Sequence, residues 1–213
     1  MLKLLHHTRL LLIFIIVLSP AISAQKLKMR KSMNNLFTEV YQVSNADTSV
    51  WNGSYEMYYK THLIEKGSYS DGEKADIWTF YNLGNLFELQ YDFTKDSVLR
   101  MAGSDYHAVR NYIPPLFLGS PLVPYLFISS SISYPLEAIN SGITGKVVLT
   151  LVISDDGEII DSYISESLNK MMDKVVLDTV ENIPDNWEWL PAKRNGAKVE
   201  SAYNITIYFD LDE

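Results

Sequence analysis

GKVVLTLVISDDGEIIDSYISE, residues 145–166, decides the fold of the C-terminal half. After Lys146, the residues Val147, Leu149, Leu151 and Ile153 fall on one face, and Asp155-Asp156-Gly157 follows them. Alternating apolar residues beside an Asp-Gly turn predict a hairpin, with a return strand over about 158–166. Upstream, Tyr134-Pro135-Leu136-Glu137-Ala138 opens a short helix, since a proline in the first turn forfeits no hydrogen bond. Gly142 and Gly145 end that helix and start the strand. Downstream, Met172, Val176, Val180 and Ile183 recur at spacings of 4, 4 and 3, the stripe of an amphipathic helix. Asp173 near its start meets the positive helix end, and Pro184 is expected to stop it. Asn195-Gly196 marks a turn. A last strand over about 199–209 puts Tyr203, Ile205, Ile207 and Phe209 on one face and Asn204, Thr206 and Tyr208 on the other. The expected class is α+β: a two-layer module with a small antiparallel sheet of about three strands and two helices. An all-β hairpin-repeat region precedes it.

The order of these pieces resembles a TonB C-terminal domain. The residues that carry the resemblance are Tyr134-Pro135-x-x-Ala138, Gly142-Ile143-x-Gly145-x-Val147, Asp156-Gly157, Met172-Asp173, Trp187-x-x-x-Pro191-x-Lys193, Asn195-Gly196 and the final apolar strand. Pro114-Pro115-Leu116-Phe117-Leu118-Gly119 is similar to the lead-in of envelope proteins that carry this domain. The resemblance implies binding to an envelope protein, in particular a TonB-dependent outer-membrane transporter. An extended peptide of that partner pairs with the sheet edge by β-augmentation, where main-chain hydrogen bonds supply affinity. Here the strand Tyr203, Asn204, Ile205, Thr206, Ile207 and Tyr208 would carry it. The competing readings are a blunted edge and a homo-oligomer through strand edges.

Three features depart from the energy-transducing members. The N-terminal apolar segment reads as a cleaved leader, where a transducer keeps an anchor. No long Pro-rich spacer is present. Ser131-Ile132-Ser133 stands where some transducers carry Gln-Pro. A membrane-anchored energy transducer is the alternative reading.

The leader reading rests on Lys3 and Arg9 before the apolar run from Leu10 to Leu18, then Ser19, Pro20 and small residues to Ala24. A positive n-region, a short h-region and a small-residue cleavage site describe a signal peptide over 1–24. The run is shorter than the roughly 20 residues that span a bilayer. The expected location is the periplasm, or under the alternative the inner membrane with one N-terminal anchor. The stretch from Ile113 to Ile132 holds four prolines and is not a continuous membrane helix.

Residues 25–113 form the second unit. Trp51-Asn52-Gly53-Ser54-Tyr55 through Glu65 returns as Asp76-Ile77-Trp78 through Glu88, with Tyr55 on Trp78, Tyr58 on Tyr81 and Leu63 on Leu86 at one offset of 23 residues. A fixed period marks a repeated supersecondary unit. Asp71-Gly72 and Asn82-Leu83-Gly84-Asn85 supply turns. The expectation is a meander of short hairpins with aromatic residues stacked on one face as core. The spacing Gly67-x-Tyr69-x-x-Gly72-x-Lys74-x-x-x-Trp78-x-x-Tyr81-x-x-Gly84-x-Leu86 resembles MORN-type repeats, which implies a hairpin array used in protein or lipid contact.

Composition narrows the function further. The chain has no cysteine, so disulfides, thiolate metal sites and a cysteine nucleophile are excluded. Residues 114–213 carry 6 basic and 15 acidic residues, against 10 and 11 in residues 25–113. An acidic terminal module is a poor match for nucleic acid. His62 and His107 stand alone, without metal-ligand spacing. Asp155 and Asp156 lack the spacing of a calcium loop, and no Gly-rich phosphate loop follows a strand. Ser167-x-x-Lys170 is the one enzyme-like spacing, that of the penicillin-binding hydrolases, and it lacks their further motifs. The expectation is a binding protein with no cofactor, metal or small-molecule substrate. Trp187 and Trp189 flank the last loop as core or interface residues.

Overall fold

The computed structural model describes residues 26–32, 35–103 and 112–211. The expected leader and His107 lie outside the described residues. Among the described residues, no helix is long and apolar enough to cross a membrane.

The first half is a seven-stranded antiparallel meander. Its strands are β1 (Lys26–Ser32), β2 (Phe37–Val43), β3 (Trp51–Tyr59), β4 (His62–Ser70), β5 (Glu73–Asn82), β6 (Leu86–Asp92) and β7 (Ser97–Met101), in that spatial order. The β4–β5 turn is Asp71-Gly72, with φ of +52° and +91°. Positive φ at both central residues is the twist that hairpin strands accept. The 23-residue repeat is physical: hairpin β3–β4 is repeated as β5–β6, and Tyr55 and Trp78 sit 5.2 Å apart between ring centroids. Tyr41 stacks on Trp51 at 4.6 Å, and Phe93 meets Trp78 edge-on at 5.8 Å. Phe37, Tyr55, Trp78, Phe80 and Tyr91 are buried, so the aromatic face is core.

The second half begins with two short strands, β8 (Tyr112–Ile113) and β9 (Leu116–Phe117). Helices α1 (Leu122–Ser131) and α2 (Leu136–Asn140) follow, then β10 (Gly145–Ile153), β11 (Ile159–Glu166) and α3 (Lys170–Val180). Strands β12 (Trp189–Leu190), β13 (Ala192–Arg194), β14 (Ala197–Val199) and β15 (Ser201–Phe209) complete it. The main sheet has the order β11-β10-β15, all antiparallel. Val147, Leu149, Leu151 and Ile153 of β10 are fully buried, as are Met172 and Val176 of α3. Helices α1 and α3 both lie against the sheet, giving the expected two layers.

Three details differ from expectation. Among the described residues there are three α-helices, not two: α1 falls in the proline-containing stretch. Its prolines are tolerated because Pro121 is the N-cap and Pro124 the third helical residue, where a backbone N–H has no helical partner. Helix α3 ends at Val180, four residues before Pro184, so Ile183 lies beyond the helix. The last strand starts at Ser201, because Ala197–Val199 turns back on Ala192–Arg194 as a separate hairpin.

The two halves share one buried cluster. Strand β8 pairs with β13, and lead-in strand β9 pairs with β12. Across the joint, the Ser120 N–H donates to Glu65 Oε1 at 2.9 Å, the Ser120 hydroxyl donates to the Tyr81 carbonyl at 2.6 Å, and Lys74 meets Glu188 at 3.0 Å.

Candidate functional site

The site expected from sequence is β15, and the structure puts it at an edge. β10 pairs with it on one side, and among the described residues no strand pairs on the other. Ile205, Ile207 and Phe209 are buried beneath the sheet, while Ala202, Asn204 and Tyr208 are exposed and Thr206 is partly so. Tyr208 is 70% exposed. The Tyr203 ring packs edge-on against Trp189 at 4.7 Å, and burial, then the Glu88 charge, pushes its hydroxyl up to about 12. On the outer face, the Thr150 hydroxyl lies 2.8 Å from both Asn204 Oδ1 and the Ser165 hydroxyl, tying β15, β10 and β11 together.

The two edges of this sheet differ. β10 and β15 pair over nine residues without a register shift. The β10–β11 ladder is interrupted at two places, and β11 carries Asp161 and Glu166. Bulges and charges are the usual protection of an edge against pairing. β15, with the sequence SAYNITIYF, has no charge, no proline and no bulge. Half the N–H and C=O groups of such an edge strand point away from its only neighbour.

The other residues singled out from sequence lie in the core and in the turns around this sheet. The Tyr134 hydroxyl donates to the Ile143 carbonyl, and its ring meets Phe209 edge-on at 5.6 Å. Pro135 caps α2. Gly145 has φ of +145° and sits against Leu168. Gly157, with φ of +92°, lies under the Trp189 carbonyl. Trp187 packs edge-on against Phe117 and Phe127 at 5.3 and 5.2 Å. Pro191 is buried between β12 and β13, and Asn195-Gly196 turns β13 into β14. Of these, the Tyr134 ring packs directly against β15, through Phe209.

Residues 130–211 match the family model described as Gram-negative bacterial TonB protein C-terminal. The chain carries a TonB C-terminal domain. No curated protein and no solved structure matches it. The TonB C-terminal domain so defined begins in the last turn of α1 and includes β10, β11, α3 and β15, together with every expected motif and edge residue. It leaves out the β1–β7 meander and the whole lead-in.

The enzyme-like spacing serves the helix start of this domain. The Ser167 hydroxyl donates to Asp173 Oδ2 at 2.5 Å, and the Leu168 N–H donates to Asp173 Oδ1. The α3 cap is Asn169, whose side chain accepts the Met172 N–H at 2.9 Å. Asn169 stands directly before the apolar stripe and is a residue type that caps helices, so it was readable as a start signal. Among the described residues no group of three potential metal ligands comes together. Asp155 and Asp156 sit in the exposed turn, where the Ser154 hydroxyl accepts the Asp156 and Glu158 N–H groups.

Two of the buried acids line the joint and had no signal in sequence. Glu39 is 4% and Glu65 7% exposed, on strands β2 and β4 of the meander with Met57 of β3 between them. Glu39 accepts from Arg30 Nε at 2.5 Å and from the Tyr55 hydroxyl at 2.7 Å.

Proposed function

We propose that the TonB C-terminal domain presents β15 to an extended periplasmic segment of an outer-membrane transporter, which adds to the sheet as a fourth strand. The observation that carries this reading is the unprotected edge: nine regular residues without charge, proline or bulge, opposite an edge that has both charges and bulges. Main-chain pairing along 203–208 supplies affinity, and the outward side chains Asn204, Thr206 and Tyr208 select what lies across them. Exported by its leader, the chain works in the periplasm as a binding protein of the TonB family. The β1–β7 meander, read as a MORN-type hairpin array, is the part that replaces the spacer of an energy transducer.

The cysteine-free chain makes the test direct. A Tyr208→Cys variant, oxidised in the envelope, is expected to form a disulfide with a transporter bearing a cysteine in its periplasmic N-terminal segment. A Glu166→Cys variant on the opposite edge is the control. Disulfides formed equally from both edges, or only between two copies of this chain, would reject the reading.

A further inference from the structure

A cavity of about 530 Å³ lies in the joint between the meander and the terminal half. That volume is within the usual range of ligand sites. One wall is the aromatic face of the meander, including Trp51, Tyr55 and Tyr69; the other includes Phe117, Trp187 and Glu188. The Lys74–Glu188 ion pair bridges the two walls.

The charges in the cavity do not balance. Arg30 is bound to Glu39, and its guanidinium lies 4.9 Å over the Trp51 ring. Lys74 is bound to Glu188 and lies over Trp78 and Phe93. That leaves Glu65, buried and without an ion pair among the described residues. Among the described residues its Oε1 accepts the Ser120 N–H and no other hydrogen bond. Burial raises the Glu65 carboxyl to about 7, Lys74 and the Ser120 N–H pull it down, and Glu39 adds to the rise. Glu39, Glu65 and Glu188 all line the cavity with Tyr69, and the Tyr69 hydroxyl is pushed up by burial and then by the charges of Glu65, Glu39 and Glu188, against the pull of Arg30.

We propose that this cavity binds an alkylammonium group, with Glu65 as its counter-ion and the Tyr69 and Trp187 rings as its walls. An ammonium supplies the missing positive charge as a charge-assisted hydrogen bond. Aromatic faces around a cation add to that attraction. An anion would meet three carboxylates. A divalent metal would need several free oxygen ligands, but both Glu39 oxygens are engaged and Lys74 holds Glu188. The ammonium can come from a free amine or from a lysine side chain of a partner protein.

The test is calorimetric titration of the full chain with n-butylammonium, 1-butanol, spermidine and N-acetyl-lysine-methylamide. Saturable binding of the ammonium probes and none of butanol is expected. Tighter binding of spermidine assigns a free amine, and tighter binding of the lysine derivative assigns a partner's side chain. Glu65→Gln should weaken ammonium binding at least about ten-fold, the scale of one hydrogen bond to a charged group. Affinity in the unmodified chain should rise from pH 6 to pH 8 with proton release, and Glu65→Gln should abolish that rise. Binding of butanol as tight as butylammonium, binding unchanged in Glu65→Gln, or no saturable ammonium binding overturns the proposal. If Glu65→Gln does not fold, Lys74→Gln carries the test. Removing the competing cation should tighten ammonium binding, and unchanged or weaker binding overturns it.

Discussion

Gly67 of β4 lies directly against the indole of Trp78 in β5, so that a Cβ on Gly67 would meet Trp78 Cδ2 at 2.3 Å. The indole cannot step aside. Its N–H donates to the Ser68 and Ala75 carbonyls at 3.0 and 3.2 Å, and Tyr55, Tyr69, Phe80 and Phe93 surround the ring. Gly67→Ala is therefore an overpacking change at the centre of the aromatic core. It should destabilise the chain by about 1–3 kcal/mol, read as a lower urea midpoint with near-ultraviolet dichroism altered at Trp78. A midpoint equal to that of the unmodified chain would show that the meander can open around this ring.

Two turn glycines separate conformational strain from steric overlap. Gly157 and Gly196 both have positive φ, +92° and +83°. A Cβ on Gly196 meets nothing within 4 Å, whereas one on Gly157 would lie 2.4 Å from the Trp189 carbonyl oxygen. Gly196→Ala should cost about 1 kcal/mol, the strain of a left-handed non-glycine residue alone. Gly157→Ala should cost clearly more, since backbone must move and the β12 segment moves with it. Unfolding of both variants in urea decides the order, and equal costs would remove the steric contribution.

Local signals made much of this fold legible. The β10–β11 hairpin could be read from the alternation through Ile153 and the Asp156-Gly157 turn because both are short-range. The 23-residue offset of Tyr55 and Trp78 gave the hairpin repeat for the same reason. Helix α1 was hidden because its residues LVPYLFISSS are apolar over most of their length, with no polar face to set a period, and contain a proline. The edge position of β15 depends on pairing with β10 some 54 residues away, from Thr150 to Asn204, and periodicity carries no such information. Glu39 and Glu65 were invisible because the partners that make them buried acids, Tyr55 and Ser120, are placed by sheet register and by the joint.

Asn169 caps α3 through the Met172 N–H, and Asp173 in the first turn faces the positive helix end while accepting from Ser167 and Leu168. Asn169→Ala removes a cap acceptor without touching the core. A loss of about 1 kcal/mol is expected, with Asn169→Asp nearly neutral. Chemical denaturation of the pair checks it; an Asp variant as damaged as Ala would mean that the side chain acts by packing and not as a cap.

Glu65 sets a pH dependence whose sign is opposite to that of an ordinary ion-paired carboxylate. Its carboxyl is raised from 4.5 to about 7 by burial, against the pull of Lys74 and the Ser120 N–H and with the Glu39 charge adding to the rise. Arg30, Tyr55, Tyr69 and Glu188 complete the charged and titratable groups around it. Between those two values the folded chain holds a proton that the unfolded chain has released. Stability from this group is therefore complete below pH 4.5 and is lost as pH rises through 7. The loss across that window is on the order of 3 kcal/mol. Glu65→Gln keeps an acceptor for the Ser120 N–H and removes the charge. Its unfolding free energy should match that of the unmodified chain at pH 4 and exceed it at pH 8. Measuring both proteins in urea at the two pH values tests the assignment: parallel behaviour would mean that the joint admits enough water to keep Glu65 an ordinary carboxylate.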